Sequence, residues 1–200
     1  MDWYEDEVRA IERAHILAPP PSGATLFYGS SSFRLWTTLA DDMAPWPVVN
    51  RAFGGSTLAA CVHFFERLVP LCAPGSLVLY AGDNDLGDGQ PAAAVIASFH
   101  ALMAKVDEQL GPIPVAFLSI KPSPSRQALQ PAIAAVNEAA RRALATRPHS
   151  RFIDVFYPML CRDGQPNAAL FAEDGLHLST AGYQLWTEII RTYRHTLFAL

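Results

Sequence analysis

A serine hydroxyl attacks a carbonyl carbon when a base takes its proton, and a histidine serves as that base when a carboxylate fixes its tautomer and orientation. Of the six histidines in this chain, His177 stands three residues after an acid, in Asp174-Gly-Leu-His177. Residues three apart on one helical turn share a face. Asp174 is therefore expected to accept the Nδ1 proton of His177, leaving Nε2 to face Ser31 in the turn Gly29-Ser-Ser-Ser32. Acyl transfer also needs donors aimed at the oxygen that becomes negative. Three are available: the amide of Ser31 at a helix start, where unpaired N–H groups favour negative charge; the amide of Gly55, which has no side chain to hold a substrate off; and the side-chain amide of Asn84.

These groups are far apart in sequence, so the fold has to bring them together. Short apolar runs closed by turn residues read as buried strands: Ala24 to Tyr28, Pro47 to Asn50, Ser76 to Ala81, Ile113 to Ile120 and Arg151 to Phe156. Between them lie segments of helical length and composition: Ser56 to Leu68, Pro91 to Leu110 and Ser125 to Thr146, with a last helix from about Ser179 to the end. An amphipathic helix precedes the first strand and stops at Pro19-Pro20-Pro21. Alternating strands and helices, with strands apolar on both faces, imply a parallel sheet covered by helices on each side. In such sheets ligands bind beyond the carboxyl ends of the strands, near the point where strand order reverses. Ser31, Gly55, Asn84 and the Asp174–His177 pair all follow expected strands.

Each feature also has an ordinary reading. A Gly-Ser turn between strand and helix is usually an N-cap, and any of Ser30, Ser31 and Ser32 suits that role. Gly54 with Gly55, and Asn84 between Asp83 and Asp85, are turn chemistry, and Asp174 with His177 can cap the last helix as an ion pair. The coincidence of all four at successive strand ends favours the catalytic reading. Elsewhere, Glu12 and His15 share the three-residue spacing on the first helix and read as an exposed ion pair. His63 and His100 read as partly buried packing residues, and His149 and His195 lack a suitably spaced carboxylate. The loop Lys121-Pro-Ser-Pro-Ser-Arg126 faces the same sheet edge, either contacting an anionic substrate group or, more simply, forming a rigid turn capped by Ser125. Trp36, Trp46, Phe53 and Leu86 flank the motifs as candidate lining of an acyl pocket.

Composition narrows the partners. Half of the 200 residues are hydrophobic and 17% are charged, against roughly 25% charged in typical domains, which excludes disorder. A net charge of −4 with no block of like charge argues against a nucleic-acid partner and against a polybasic membrane anchor. The apolar stretch Leu68 to Gly82 is broken by Pro70, Pro74 and Gly75 and falls short of the about 20 residues a membrane helix needs. Three scattered cysteines supply neither a disulfide framework nor a zinc site, and the start, charged from Asp2, lacks the pattern of a secretory signal. A small-molecule partner and a cytoplasmic location are expected.

The chain resembles the SGNH hydrolase superfamily, the GDSL-type esterases and lipases, in four ordered blocks. Phe27-Tyr-Gly-Ser-Ser-Ser-Phe-Arg-Leu-Trp36 is similar to the first, Asn50-Arg-Ala-Phe-Gly-Gly-Ser56 to the second, Gly82-Asp-Asn-Asp85 to the third and Asp174-Gly-Leu-His177 to the last. The resemblance spans roughly residues 24 to 195 and implies a single-domain three-layer α/β/α sandwich with a five-stranded parallel sheet in flavodoxin-like order. It implies a cofactor-free esterase with Ser31, His177 and Asp174 as triad and Ser31, Gly55 and Asn84 as oxyanion hole. The chain then divides into a lead-in, residues 1–23, packed on a hydrolase domain, residues 24–200. One departure is that Ser30 stands where the family's turn carries Asp, so Ser31 is picked out by its place two after Gly29. The close spacing of motifs leaves no insertion for a lid domain, and a short-chain acyl, acetyl or aryl ester is the expected substrate. Two other readings stay open on the residues: a metal-dependent phosphoesterase with Asp83, Asp85, Asp174 and His177 as ligands, and an inactive ligand-binding module of the same fold.

Overall fold

A computed structural model describes residues 1–198. Five strands, β1 (Thr25–Gly29), β2 (Val48–Asn50), β3 (Ser76–Tyr80), β4 (Val115–Leu118) and β5 (Ser150–Ile153), form one parallel sheet in the order β2-β1-β3-β4-β5. The helices are α1 (Glu5–Leu17), α2 (Ser31–Arg34), α3 (Leu39–Met43), α4 (Leu58–Leu68), α5 (Asp83–Gly87), α6 (Ala92–Leu110), α7 (Gln130–Ala145), α8 (Thr180–Thr192) and α9 (Arg194–Leu197). No helix among the described residues is long and apolar enough to cross a membrane.

The inner strands β1, β3 and β4 are buried at every position and mostly apolar because both faces of the sheet are covered there, while the edge strand β5 exposes Arg151. Leu26, Tyr28, Leu77, Leu79, Val115 and Phe117 point into one core with residues of α4, α6 and α7, and Val8 of α1 joins them. The alternate positions, Phe27, Val78, Tyr80, Ala116 and Leu118, point into a second core, where Phe33 of α2, Met43 of α3 and Trp186 of α8 pack. This gives the helix-covered parallel sheet expected from the alternation of strands and helices, in the flavodoxin-like order that the family resemblance implies. Because the chain steps from β1 outward to β2 and returns past β1 to β3, the strand order reverses between β1 and β3. The crevice therefore opens beyond the carboxyl ends of those two strands.

Boundaries moved where turn chemistry overrode apolar runs. The fourth strand shortens to Val115–Leu118 and the fifth ends at Ile153, since Asp154 folds back to accept the Phe156 amide at 2.8 Å. The helix expected from Ser125 begins as a 3₁₀ segment, Pro124–Leu129, before α7 starts with Pro131 in its first turn. The last helix is interrupted at Tyr193, and its expected final positions, Ala199 and Leu200, lie outside the described residues.

α1 lies on α4. Arg67 of α4 donates to Glu5 at 2.7 Å and to both carboxylate oxygens of Glu12 at 2.7 and 2.8 Å. Glu12 is thus committed to Arg67 rather than to His15, whose Nδ1 lies 3.4 Å from Arg51 Nη2.

Candidate active site

The turns after β1, β2 and β3 are tied to one another by buried polar groups. Gly29 ends β1 with φ of +147°, and a Cβ there would lie 1.8 Å from the Tyr80 carbonyl oxygen, so only glycine lets β1 close on β3 at this point. The Ser30 amide donates to that same carbonyl at 2.9 Å. From the second turn, Ser56 Oγ donates to the Gly29 carbonyl at 2.8 Å; from the third, Asn84 Nδ2 donates to the Ser56 carbonyl at 3.0 Å. Asp85 accepts the Leu58 amide with both oxygens, at 3.0 and 2.9 Å, and so fastens the start of α4 to the same cluster.

On this frame Ser31 is the partly exposed member of three serines, while Ser30 and Ser32 are buried with hydroxyls that find no partner. Ser30 holds the N-cap position of α2, yet its side chain makes no capping bond, so the capping role considered for these serines is not filled there. Ser31 Oγ lies 3.0 Å from His177 Nε2, and His177 Nδ1 lies 2.6 Å from Asp174 Oδ2. The Asp174–His177 stretch is a turn and not the helical turn expected from its spacing. Asp174 Oδ1 accepts the amides of Leu176 and His177, both at 2.9 Å, which folds the chain back and aims the carboxylate at the ring. Those backbone bonds, first from Leu176, together with the imidazole, lower the Asp174 carboxyl to about 2. Gly175, at φ of +62°, accepts both the amide and the hydroxyl of Ser125 at 3.1 Å, anchoring the turn to the loop after β4. Ser125 thus joins two loops instead of capping its own; Ser123 occupies that N-cap.

Two backbone amides of these turns are uncommitted. Neither Ser31 nor Gly55 donates its backbone N–H to another described group. Gly54, its neighbour, gives its amide to Glu7 Oε2 at 2.8 Å, so of the paired glycines Gly55 alone keeps an uncommitted donor. Asn84 is held at both ends: Nδ2 on the Ser56 carbonyl, and Oδ1 accepting from Arg126 Nη2 at 3.0 Å, which leaves the second Nδ2 hydrogen uncommitted. Replacing Asn84 with alanine is expected to lower kcat for an activated ester by about 10² to 10³ with KM little changed, the pattern of a donor used in the transition state. A raised KM at constant kcat in steady-state kinetics would assign Asn84 to ground-state binding.

Behind Asn84 lies a buried ionic cluster. Lys121, 1% exposed, donates to Asp83 Oδ2 at 2.9 Å and to Tyr80 Oη at 3.0 Å, and Arg126 Nη1 stands 3.4 Å from the same carboxylate oxygen. Burial alone would raise the Asp83 carboxyl, but the Lys121 and Arg126 charges outweigh it and keep it lowered, while Asp83 in turn raises Lys121. Lys121 therefore has no reach to a substrate. Asp85 is raised by burial, opposed by the bonds from the start of α4. This commitment of Asp83 and Asp85 disperses the proposed metal ligand set of Asp83, Asp85, Asp174 and His177. Among the described residues no three His, Cys, Asp or Glu side chains are gathered to hold a metal ion.

The expected pocket lining is corrected. Trp36, Phe53 and Leu86 are 2%, 0% and 3% exposed and serve as packing: Trp36 against Phe27, Phe33 and Trp186, Phe53 against Tyr28 and Phe64. Trp46 stacks on Phe198 at 4.8 Å. A cavity of about 330 Å³ lined by Leu35, Thr38, Leu178 and Tyr183 lies between the segment after α2 and the start of α8, and none of Ser31, Asp174 and His177 lines it. His63 and His100 are exposed rather than partly buried, since each sits on the outward face of its helix. Tyr4 and Glu7, which touch the glycine turn, were not singled out by sequence; only their place in the amphipathic opening segment was visible.

Comparison with known proteins gives a consistent picture. A model of the GDSL-like Lipase/Acylhydrolase family matches residues 21–185. A structure described provisionally as a platelet activating factor from Streptococcus pneumonia superposes with a TM-score of 0.83 at 23% identity, covering 96% of this chain and 94% of that one. A GDSL-like lipase from Bacteroides thetaiotaomicron superposes at 0.78 with 18% identity, covering 94% and 97%. At such identities the likeness is one of fold. Comparison with curated protein sequences returns no match.

Proposed function

Because the chain belongs to the GDSL-like lipase/acylhydrolase family and is thereby a hydrolase acting on esters, we propose that it is a serine esterase working through an acyl-enzyme on Ser31. The observation that carries this reading is the unbroken relay from Ser31 Oγ to His177 Nε2 at 3.0 Å and from His177 Nδ1 to Asp174 at 2.6 Å. In the first half-reaction Ser31 Oγ bonds to the ester carbonyl carbon while its proton passes to Nε2. The carbonyl oxygen takes the electron pair and is met by the amides of Ser31 and Gly55 and by Asn84 Nδ2. Collapse expels the alcohol, which leaves with the proton from Nε2. In the second half-reaction water, deprotonated by His177, attacks the acyl-enzyme and Ser31 regains its proton as the acid departs. Asp174 stays ionised throughout and stabilises the imidazolium.

The partial exposure of Ser31 and of the Asp174–His177 turn, with the close spacing of strands and motifs along the chain, supports short acyl or acetyl and aryl esters as substrates. Unpaired Cys61, Cys72 and Cys161 fit the reducing cytoplasm. A fluorophosphonate probe is expected to form one adduct, mapped to Ser31 by peptide mass spectrometry. kcat/KM across p-nitrophenyl esters should peak at short chains. Exhaustive chelation and dialysis should leave turnover intact. Activity lost to chelation and restored by Mn²⁺ or Zn²⁺, with no labelled serine peptide, would overturn the serine mechanism, and a maximum at long acyl chains would overturn the substrate class.

A further inference from the structure

The matched family region begins at residue 21, yet the segment before it touches the turn that carries one of the oxyanion donors. Tyr4 Oη donates to the Gly55 carbonyl at 3.1 Å. Glu7 Oε2 accepts the Gly54 amide at 2.8 Å, and its other oxygen pairs with Arg34 Nε of α2. Trp3 Nε1 lies 3.9 Å from where a Cβ on Gly55 would stand. The peptide between Gly54 and Gly55 contains the uncommitted N–H. The peptides on either side of it are those pinned by Glu7 and Tyr4.

Two adjacent glycines are among the softest stretches a chain can have, and Gly55 sits at φ of +66°. Left to itself this turn would spread its N–H over many directions, and a donor helps only where it is already aimed. The anchors themselves are well seated. Tyr4 meets Phe53 edge-on at 5.3 Å and Phe64 at 6.1 Å. Glu7 follows three residues later, so the two side chains leave the same side of the helical segment. Val8, fully buried, and the bridges from Arg67 to Glu5 and Glu12 dock α1 on α4. A carboxylate near a developing oxyanion would oppose it by charge, and Arg34 offsets that charge. What Glu7 adds is therefore direction and not field.

We propose that Tyr4 and Glu7 are positioning residues of the oxyanion hole, so that the N-terminal helix completes the active site. This rests on the reading of Gly55 as an oxyanion donor and of Ser31 as nucleophile. The experiment compares Tyr4→Phe, Glu7→Ala, Glu7→Gln and Arg67→Ala with the parent on p-nitrophenyl acetate. Each is also assayed for binding of a trifluoromethyl ketone that forms a tetrahedral adduct. Tyr4→Phe and Glu7→Ala should each lower kcat about 10-fold, less than deleting a donor, with KM within about twofold and ketone affinity falling in step with kcat/KM. Glu7→Gln keeps an oxygen for the Gly54 amide and should retain most of kcat, although it loses the charge. Arg67→Ala removes contacts that dock α1 but leaves Val8, Tyr4 and Glu7 in place, so it should lower Tm and lower kcat by less than Tyr4→Phe or Glu7→Ala does.

Equal losses in Glu7→Ala and Glu7→Gln, or unchanged kcat in both Glu7→Ala and Tyr4→Phe, would overturn the proposal. If Glu7→Ala fails to fold, Tyr4→Phe, which removes a single oxygen, decides alone. Ser31→Ala, run alongside, separates the two levels. If it is inactive while the anchoring variants are normal, this inference fails and the esterase stands; if it is as active as the parent, the esterase reading itself fails.

Discussion

Ser31→Ala is expected to reduce kcat on an activated ester by on the order of 10⁶-fold, to what substrate binding and the oxyanion donors provide alone. Ser31 Oγ is the hydroxyl 3.0 Å from His177 Nε2, so no other group can take over the covalent step from that position. The fold should survive, because the turn is held by the Ser30 amide on Tyr80 and by Ser56 on Gly29, neither of which involves the Ser31 side chain. The neighbouring serines supply the contrast. Ser30 and Ser32 Oγ are buried without partners, so Ser30→Ala and Ser32→Ala remove unsatisfied polar atoms and should keep both activity and Tm. Stopped-flow release of p-nitrophenol measures the burst as well as the steady state, and both should vanish in Ser31→Ala alone. A dead Ser32→Ala with an active Ser31→Ala would shift the nucleophile by one residue.

The sheet was legible because parallel strands buried on both faces are apolar at most positions. Runs such as Thr25-Leu-Phe-Tyr28 and Ser76-Leu-Val-Leu-Tyr80 therefore stand out, and the turn residues after them mark the strand ends where side chains gather. Asp174 and His177 were legible as a pair through their spacing, though the geometry that joins them is an aspartate turn and not a helix. Less could be read where a residue's role depends on a partner distant in sequence. Nothing about Lys121 in a Pro-Ser-rich loop says that Asp83 waits for it inside the protein, 38 positions away. Trp36 and Phe53 look like pocket aromatics because they flank motifs, but a motif placed on a sheet edge has its neighbours in the core. Tyr4 and Glu7 act on a turn about fifty residues later, and only packing of α1 on α4 reveals it.

Asp174→Asn is the second large effect, with an expected fall in kcat of about 10⁴ and an intact fold. The two oxygens of Asp174 have different duties: Oδ1 accepts the amides of Leu176 and His177, and Oδ2 faces His177 Nδ1 at 2.6 Å. Asparagine can meet only one of these demands fully. If its oxygen keeps the two backbone amides, the turn is preserved and its NH₂ confronts Nδ1. Nδ1 must then be the unprotonated nitrogen, the ring proton moves to Nε2, and Nε2 can no longer take the proton of Ser31. If the amide is reversed, the ring keeps its tautomer but two backbone donors lose their acceptor, and the turn loosens. The first arrangement satisfies more groups and should dominate, so kcat falls while Tm changes little. The carboxyl, lowered to about 2 in the folded protein, adds stability that is present above its unfolded value near 4 and is lost as the pH falls toward 2. At 49% exposure solvent screens that contribution, and the variant should differ from the parent in stability only slightly at neutral pH. Steady-state kinetics with thermal unfolding at pH 7 and pH 3 checks both halves. A variant within about tenfold of the parent in kcat, but with a clearly lower Tm, would make Asp174 a turn former and leave His177 without an orienting acid.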